Sequence, residues 1–137
     1  IGGVSAGRYD SLNVGRRLPA YCTSIGHVML AHLPPQELDD YLSRTRFHPY
    51  TEHTLTSPEK LRSVLKEVRA TGVAFASQQM ELRLCTLAVP VLDIGGSFVA
   101  GMNVILQGRL VTASEMAERF AQPLQDAAAE LGSLLLP

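Results

Sequence analysis

The chain has 137 residues, 46% of them hydrophobic, which is enough apolar surface for the core of one domain. Its formal net charge is −1 and no basic run exceeds Arg16-Arg17, so the chain alone is not expected to bind the phosphates of DNA. Two cysteines are too few for a disulfide framework, and the sequence contains no signal peptide and no apolar span of about 20 residues; a reduced, cytoplasmic setting is therefore expected.

The first half of the chain is predicted to contain one strand and three helices. Loose alternation from Tyr9 to Gly15 favours a strand. The first residue is Ile1 rather than Met, and residues 1–15 begin as if within a sheet, so 1–137 is expected to be one domain of a longer protein. From Ser24, apolar residues recur at steps of three and four, which predicts a helix that ends at Pro34-Pro35, where a second helix begins. Ser57 and Gly72 are typical of the start and end of a third helix.

The hydrophobic period changes after Gly72 and predicts strands. Two long apolar runs flank the turn residues 93–96, which indicates an antiparallel hairpin. Because strand side chains alternate, Leu84 and Thr86 share one face of the first strand, and Asn103 and Ile105 share one face of the second.

A last long helix is predicted to begin at a capping box formed by Thr112 and Glu115, and Pro123 is expected to kink or divide it. The order strand, three helices, sheet, helix predicts an α+β fold with helices packed on an antiparallel sheet.

No catalytic or metal-binding motif stands out. Cys22 lies five residues from His27, so a nucleophilic cysteine can be proposed, with Cys85 as the second candidate. Both cysteines have apolar neighbours that disfavour a thiolate, which favours inert packing. The four histidines lack metal-ligand spacing, and no metal or other cofactor is expected.

A few small polar residues are better candidates for a site. Thr23 and Ser24 stand at a helix start, where free N–H groups can hold a carboxylate, although Ser24 is equally typical of a plain N-cap. Thr86 and Asn103 stand within strands. Asparagine is depleted in strands and a buried amide needs a partner, so Asn103 is the strongest single candidate.

Four segments together resemble the effector-binding domain of IclR-type bacterial transcription regulators. These segments, which cover almost the whole chain, are "RLPAYCTSIGHVMLAHLP", "YTEHTLTSPEKLRSVLKEVRATGV", "LAVPVLDIGGSFVAGMNV" and "RLVTASEMAERFAQPLQDAAAELG". The sequences of these segments are most similar to those of the branch that controls aromatic-acid catabolism through protocatechuate and β-ketoadipate. The resemblance implies a GAF-like (profilin-like) fold, a homodimer or tetramer, and a winged helix-turn-helix DNA-binding domain that precedes this segment and is absent from it.

The resemblance also implies an effector pocket between the sheet and the loop at the helix start. Carried onto this sequence, that pocket is formed by Ser24, Ile25, Leu84, Thr86, Asn103 and Ile105. The expected effector is an organic carboxylate, either an aromatic acid or a dicarboxylate such as protocatechuate, 4-hydroxybenzoate or β-ketoadipate.

Three departures from the family pattern bear on the ligand. Residues 76–79 replace a usual acidic run, Arg83 replaces a usual glycine, and His27 replaces a usual Arg or Lys. The loss of acid favours an anionic effector, while Arg83 and His27 are expected either to bind it or to face solvent.

The sequence therefore predicts a ligand-sensing domain without catalysis, and two alternatives remain open. A small-molecule enzyme would need a reactive Cys22 or Cys85. A pure dimerisation module would have a filled interior at Thr86 and Asn103, whereas a sensor would have a mostly apolar pocket with those few polar groups converging on it.

Overall fold

The computed structural model describes residues 14–137 of the chain. A short 3-10 helix (Ala20–Cys22) precedes α1 (Ser24–Ala31), α2 (Pro35–Arg44), α3 (Pro58–Thr71), β1 (Ala74–Ser77), β2 (Leu84–Leu92), β3 (Phe98–Gln107) and α4 (Ala113–Gly132). The strand predicted from Tyr9 to Gly15 lies outside the described residues, except for Val14 and Gly15, which form a turn.

Local sequence signals set most helix boundaries. The Ser57 side chain accepts a hydrogen bond from the Lys60 backbone N–H, and Gly72 ends α3 with a φ of 74°, a left-handed conformation that glycine adopts without strain. Thr112 and Glu115 form the predicted capping box of α4. Pro123 does not divide this helix, which is continuous from Ala113 to Gly132.

The three strands form one antiparallel sheet in the order β1-β2-β3. Thr86 pairs with Ile105 and Ala88 with Asn103, so the two predicted polar positions lie diagonally to each other on the same face. The predicted turn joins β2 to β3, and the Asp93 carboxylate accepts a hydrogen bond of 2.9 Å from the Ser97 backbone N–H.

Helices cover both faces of the sheet, which confirms the predicted α+β class. α1 and α3 pack on one face through a buried cluster of Val28, Val68, Ala74 and Ala88. α4 packs on the other face through two clusters of Cys85, Leu87, Met116, Val89, Val91, Leu124 and Ala128. Within residues 14–137, no helix has the length and apolar character needed to cross a bilayer.

Candidate functional site

A cavity of about 500 Å³ opens between the start of α1 and the sheet face that α1 covers. Its wall comes from the segment before α1, the first turns of α1, the β1–β2 connection, and all three strands of the sheet. The lining residues are Arg16, Leu18, Ala20, Cys22, Thr23, Ser24, Ile25, Gly26, Met29, Ala76, Gln79, Met80, Leu84, Thr86, Phe98, Val99, Ala100, Gly101, Asn103 and Ile105.

All six residues that the sequence proposed for the pocket line this one cavity: Ser24, Ile25, Leu84, Thr86, Asn103 and Ile105. The strand register brings four of them together, because directly paired residues share a face of the sheet. α1 supplies the other two from the opposite wall. That these residues bind a ligand stays a prediction.

The start of α1 is capped by Thr23 and not by Ser24, so the interpretation of Ser24 as an N-cap is wrong. The Thr23 hydroxyl donates to the Pro19 carbonyl at 2.9 Å and accepts from the Gly26 N–H at 3.1 Å. Ser24 is the first residue of the helix, is 1% exposed, and its hydroxyl has no hydrogen-bond partner among residues 14–137. A buried hydroxyl without a partner costs free energy.

Two glycines allow α1 to lie close to its neighbours. A Cβ on Gly26 would collide with the backbone carbonyl of Ala20. A Cβ on Gly101 in β3 would lie 2.6 Å from the Ile25 Cγ1 atom. The helix start can therefore sit directly against both the preceding segment and the sheet.

His27 neither lines the cavity nor faces solvent, which were the two positions expected for it. Its side chain is fully buried and does not line the cavity. Nε2 lies 2.8 Å from the Tyr21 carbonyl oxygen, which only accepts, so Nε2 carries the proton and Nδ1 is left without a partner among the described residues. Burial lowers the pKa of His27, and the bond to Tyr21 opposes that effect. The His27 ring is therefore neutral, and its hydrogen bond to the Tyr21 carbonyl stabilises the segment before α1.

Arg83 is exposed and is also absent from the cavity wall. Its φ is 63°, in the left-handed region that glycine favours, and its guanidinium donates to the Gly108 carbonyl through Nε at 3.2 Å and Nη2 at 2.8 Å. Of the two roles left open for Arg83, the structure favours the one that faces solvent.

The cysteines lie apart from each other and are both buried. Cys22 contacts the Met80 sulfur at 3.4 Å, and burial raises its pKa to about 12, so its thiol stays protonated near neutral pH. Cys85 is on the opposite sheet face, packed with Leu87 and Met116. Within the part of the chain that the structure describes, no three His, Cys, Asp or Glu side chains are grouped as metal ligands.

The cavity wall also contains residues that the sequence analysis did not assign to the site. Met80 and Phe98 add apolar surface, while Gln79 and Arg16 add polar groups. Alternation along a strand could not locate Gln79, Met80 or Arg16, because they belong to loops. Among the described residues, no Asp or Glu lines the cavity, and Arg16 is the one lining residue that is permanently charged.

Comparisons with known proteins place this geometry in context. Residues 8–133 match the family model described as "Bacterial transcriptional regulator IclR C-terminal". The Pca regulon regulatory protein of Pseudomonas putida is 40% identical over 120 residues, which cover 88% of this chain and 41% of that protein. The p-hydroxybenzoate hydroxylase transcriptional activator of Acinetobacter baylyi is 28% identical over 124 residues, which cover 90% of this chain and 46% of the activator. The chain thus spans less than half the length of these relatives.

Solved structures with the same arrangement include two domains of transcription regulators. The inducer-binding domain of PobR from Acinetobacter, solved as a double mutant in complex with 3-hydroxybenzoic acid, superposes with a TM-score of 0.84 at 27% identity, covering 90% of this chain and 71% of that one. The C-terminal domain of Escherichia coli KdgR gives a TM-score of 0.78 at 34% identity, covering 90% of this chain and 74% of that one.

Proposed function

The chain belongs to the family of IclR C-terminal domains of bacterial transcriptional regulators, and from this we propose that it senses a small organic carboxylate in the cavity between α1 and the sheet. Its α+β, GAF-like fold is the one expected of that family. In the proposal, ligand binding changes how a separate winged helix-turn-helix domain of the same protein binds DNA, and the working protein is a cytoplasmic homo-oligomer.

The observation that carries the proposal is the convergence of unpartnered polar groups on one mostly apolar cavity. The half-exposed side chains of Thr86 and Asn103 make no hydrogen bond to any residue between 14 and 137, and both line the cavity with Ser24. Apolar pockets with a few placed polar groups are typical of small-molecule sites, and a volume of about 500 Å³ suits a ligand of one ring or a short chain.

Charge supports a carboxylate over a neutral or cationic ligand. The N-terminus of α1 lies at the cavity wall, where the helix dipole and free N–H groups favour an anion. The wall contains no acidic side chain from the described residues, and Ala76 and Gln79 stand where the family pattern led us to expect acids. A carboxylate therefore meets no like charge there.

The relatives narrow the class of acid that we propose. One relative is named for the Pca regulon, another for p-hydroxybenzoate hydroxylase, and the PobR domain was solved with 3-hydroxybenzoic acid. We accordingly propose an aromatic acid or a dicarboxylate, such as protocatechuate, 4-hydroxybenzoate or β-ketoadipate.

The two alternatives receive less support. An enzyme would need a reactive thiol, and Cys22 is held protonated by burial. A pure dimerisation module would fill the space at Thr86 and Asn103, where the structure has a cavity. The relatives described above are named as transcription regulators.

Titration calorimetry of the 137-residue chain against the three named acids tests the proposal. We expect at least one acid to bind with a 1:1 stoichiometry and its amide or methyl ester to bind at least about tenfold more weakly, because the neutral analogue loses a charge-assisted interaction. Equal affinity for acid and amide would contradict a carboxylate effector.

A further inference from the structure

We infer that Arg16 is a specificity-determining residue that binds a second anionic group of the ligand. The inference rests on the proposed function, because it assumes that one carboxylate of the ligand already occupies the start of α1. It adds that the preferred ligand carries negative charge at both ends.

The charge of the cavity wall is the first observation. The chain has 12 basic and 13 acidic residues, yet within the described range the wall contains one ionised side chain, Arg16. Among the described lining residues, a single cation without an acid gives the wall a net positive charge, although the formal net charge of the chain is −1. An anionic group at this point gains attraction and meets no repulsion.

The bonding of Arg16 is the second observation. Its guanidinium makes no hydrogen bond and no ion pair with any residue from 14 to 137, in contrast to Arg83, which is held by the Gly108 carbonyl. Its five N–H donors form a planar fork that fits a carboxylate with two parallel hydrogen bonds. The adjacent Arg17 does not line the cavity.

The third observation is that Arg16 and the start of α1 differ in exposure although both line the cavity. Arg16 is exposed, in the segment before the 3-10 helix, whereas Ser24 is 1% exposed. Both line a cavity of about 500 Å³, and a cavity of about 150 Å³ already holds a benzene ring. A ligand with one carboxylate at α1 therefore has room to extend a second group toward Arg16.

Two pairs of acids, each differing by one carboxylate, test this inference by calorimetry: benzoate with terephthalate, and hexanoate with adipate. The proteins are the 137-residue chain, Arg16→Gln, and Arg17→Gln as the matched control. We expect the dicarboxylate of at least one pair to bind about three- to tenfold tighter than its partner, and more so at low salt, because the interaction is electrostatic and partly exposed. Arg16→Gln should remove that preference and Arg17→Gln should keep it.

Other outcomes separate this inference from the proposed function. If the two acids of each pair bind the unmodified chain equally, or if Arg16→Gln weakens both acids of the preferred pair by the same factor, Arg16 does not bind a second anionic group and the carboxylate proposal stands. If none of these four acids and none of the three acids named above binds the unmodified chain, both proposals are wrong.

Discussion

Substitutions at Thr86 and Asn103 should weaken ligand binding far more than they weaken the fold. In Thr86→Val the hydroxyl is replaced by a methyl group of the same size, and in Asn103→Ala the amide is removed. Neither polar group has a hydrogen-bond partner among residues 14–137, so no hydrogen bond within that range is lost in either variant. We expect the free energy of unfolding to change by less than about 1 kcal/mol in each.

The expected effect on affinity follows from the proposed contact. A hydrogen bond to an ionised ligand contributes about 1.5–3 kcal/mol, so each variant should bind the acid roughly ten- to a hundredfold more weakly. Because the two residues are diagonal neighbours on one sheet face, they can contact the same ligand group, and the double variant should lose less than the sum of the single losses.

Urea unfolding and titration calorimetry with the tightest-binding acid measure the two quantities on the same preparations. Gln107→Ala is the control for affinity, since Gln107 lies on the same strand as Asn103 and does not line the cavity; its side chain donates to the Glu81 carboxylate, so a small loss of stability is expected in this variant. Unchanged affinity in both Thr86→Val and Asn103→Ala would refute the assignment of the pocket. A loss of unfolding free energy above about 2 kcal/mol with unchanged affinity would show instead that both are core residues.

Four further predictions concern other parts of the chain. Gly26→Ala should destabilise the fold by about 1–3 kcal/mol or more, because its Cβ meets backbone atoms that cannot rotate away. Gly95→Ala is the control and should change the melting temperature little. If Gly26→Ala and the unmodified chain melt at the same temperature, α1 has room to shift. Because burial lowers the pKa of His27, the unfolded chain binds more protons than the folded chain below about pH 6.5. The free energy of unfolding should therefore fall as the pH drops from 7 toward 5, by at most about 1.4 kcal/mol per pH unit for this one group. Urea unfolding of His27→Gln should show a weaker pH dependence of stability, and an unchanged pH dependence would assign the effect to other groups. Cys22 should react with Ellman's reagent at pH 7.5 only after urea is added, and rapid labelling of this cysteine in the native protein, identified by mass spectrometry, would reopen the enzymatic alternative. The chain should sediment as a homo-oligomer at micromolar concentration and fail to retain DNA in a gel shift, and a monomer or salt-dependent DNA retention would contradict this prediction.

The sequence by itself determined the elements whose signals are local. The boundaries of α3 and the start of α4 follow from caps such as Ser57, Gly72 and Thr112, whose hydrogen bonds reach only three or four residues along the chain. Alternation in β2 and β3 also placed Thr86 and Asn103 each on a definite face, because side chains in a strand point to alternate sides. The resemblance to IclR regulators was equally available from the four segments, and the family match confirmed it.

Only the tertiary structure decided which of these residues meet around one space. Thr23 and Ser24 are both typical caps in sequence, and only the backbone conformation, extended at Thr23 and helical from Ser24, shows that Thr23 accepts the Gly26 N–H. The burial of His27 depends on contacts with the segment before α1, and the place of Arg16 in the cavity wall depends on how that segment folds back toward the sheet. Periodicity in the sequence indicates which side of its own helix or strand a residue faces. A cavity is formed by several elements that are far apart in sequence, so the charge and volume of the cavity are set only when those elements pack together.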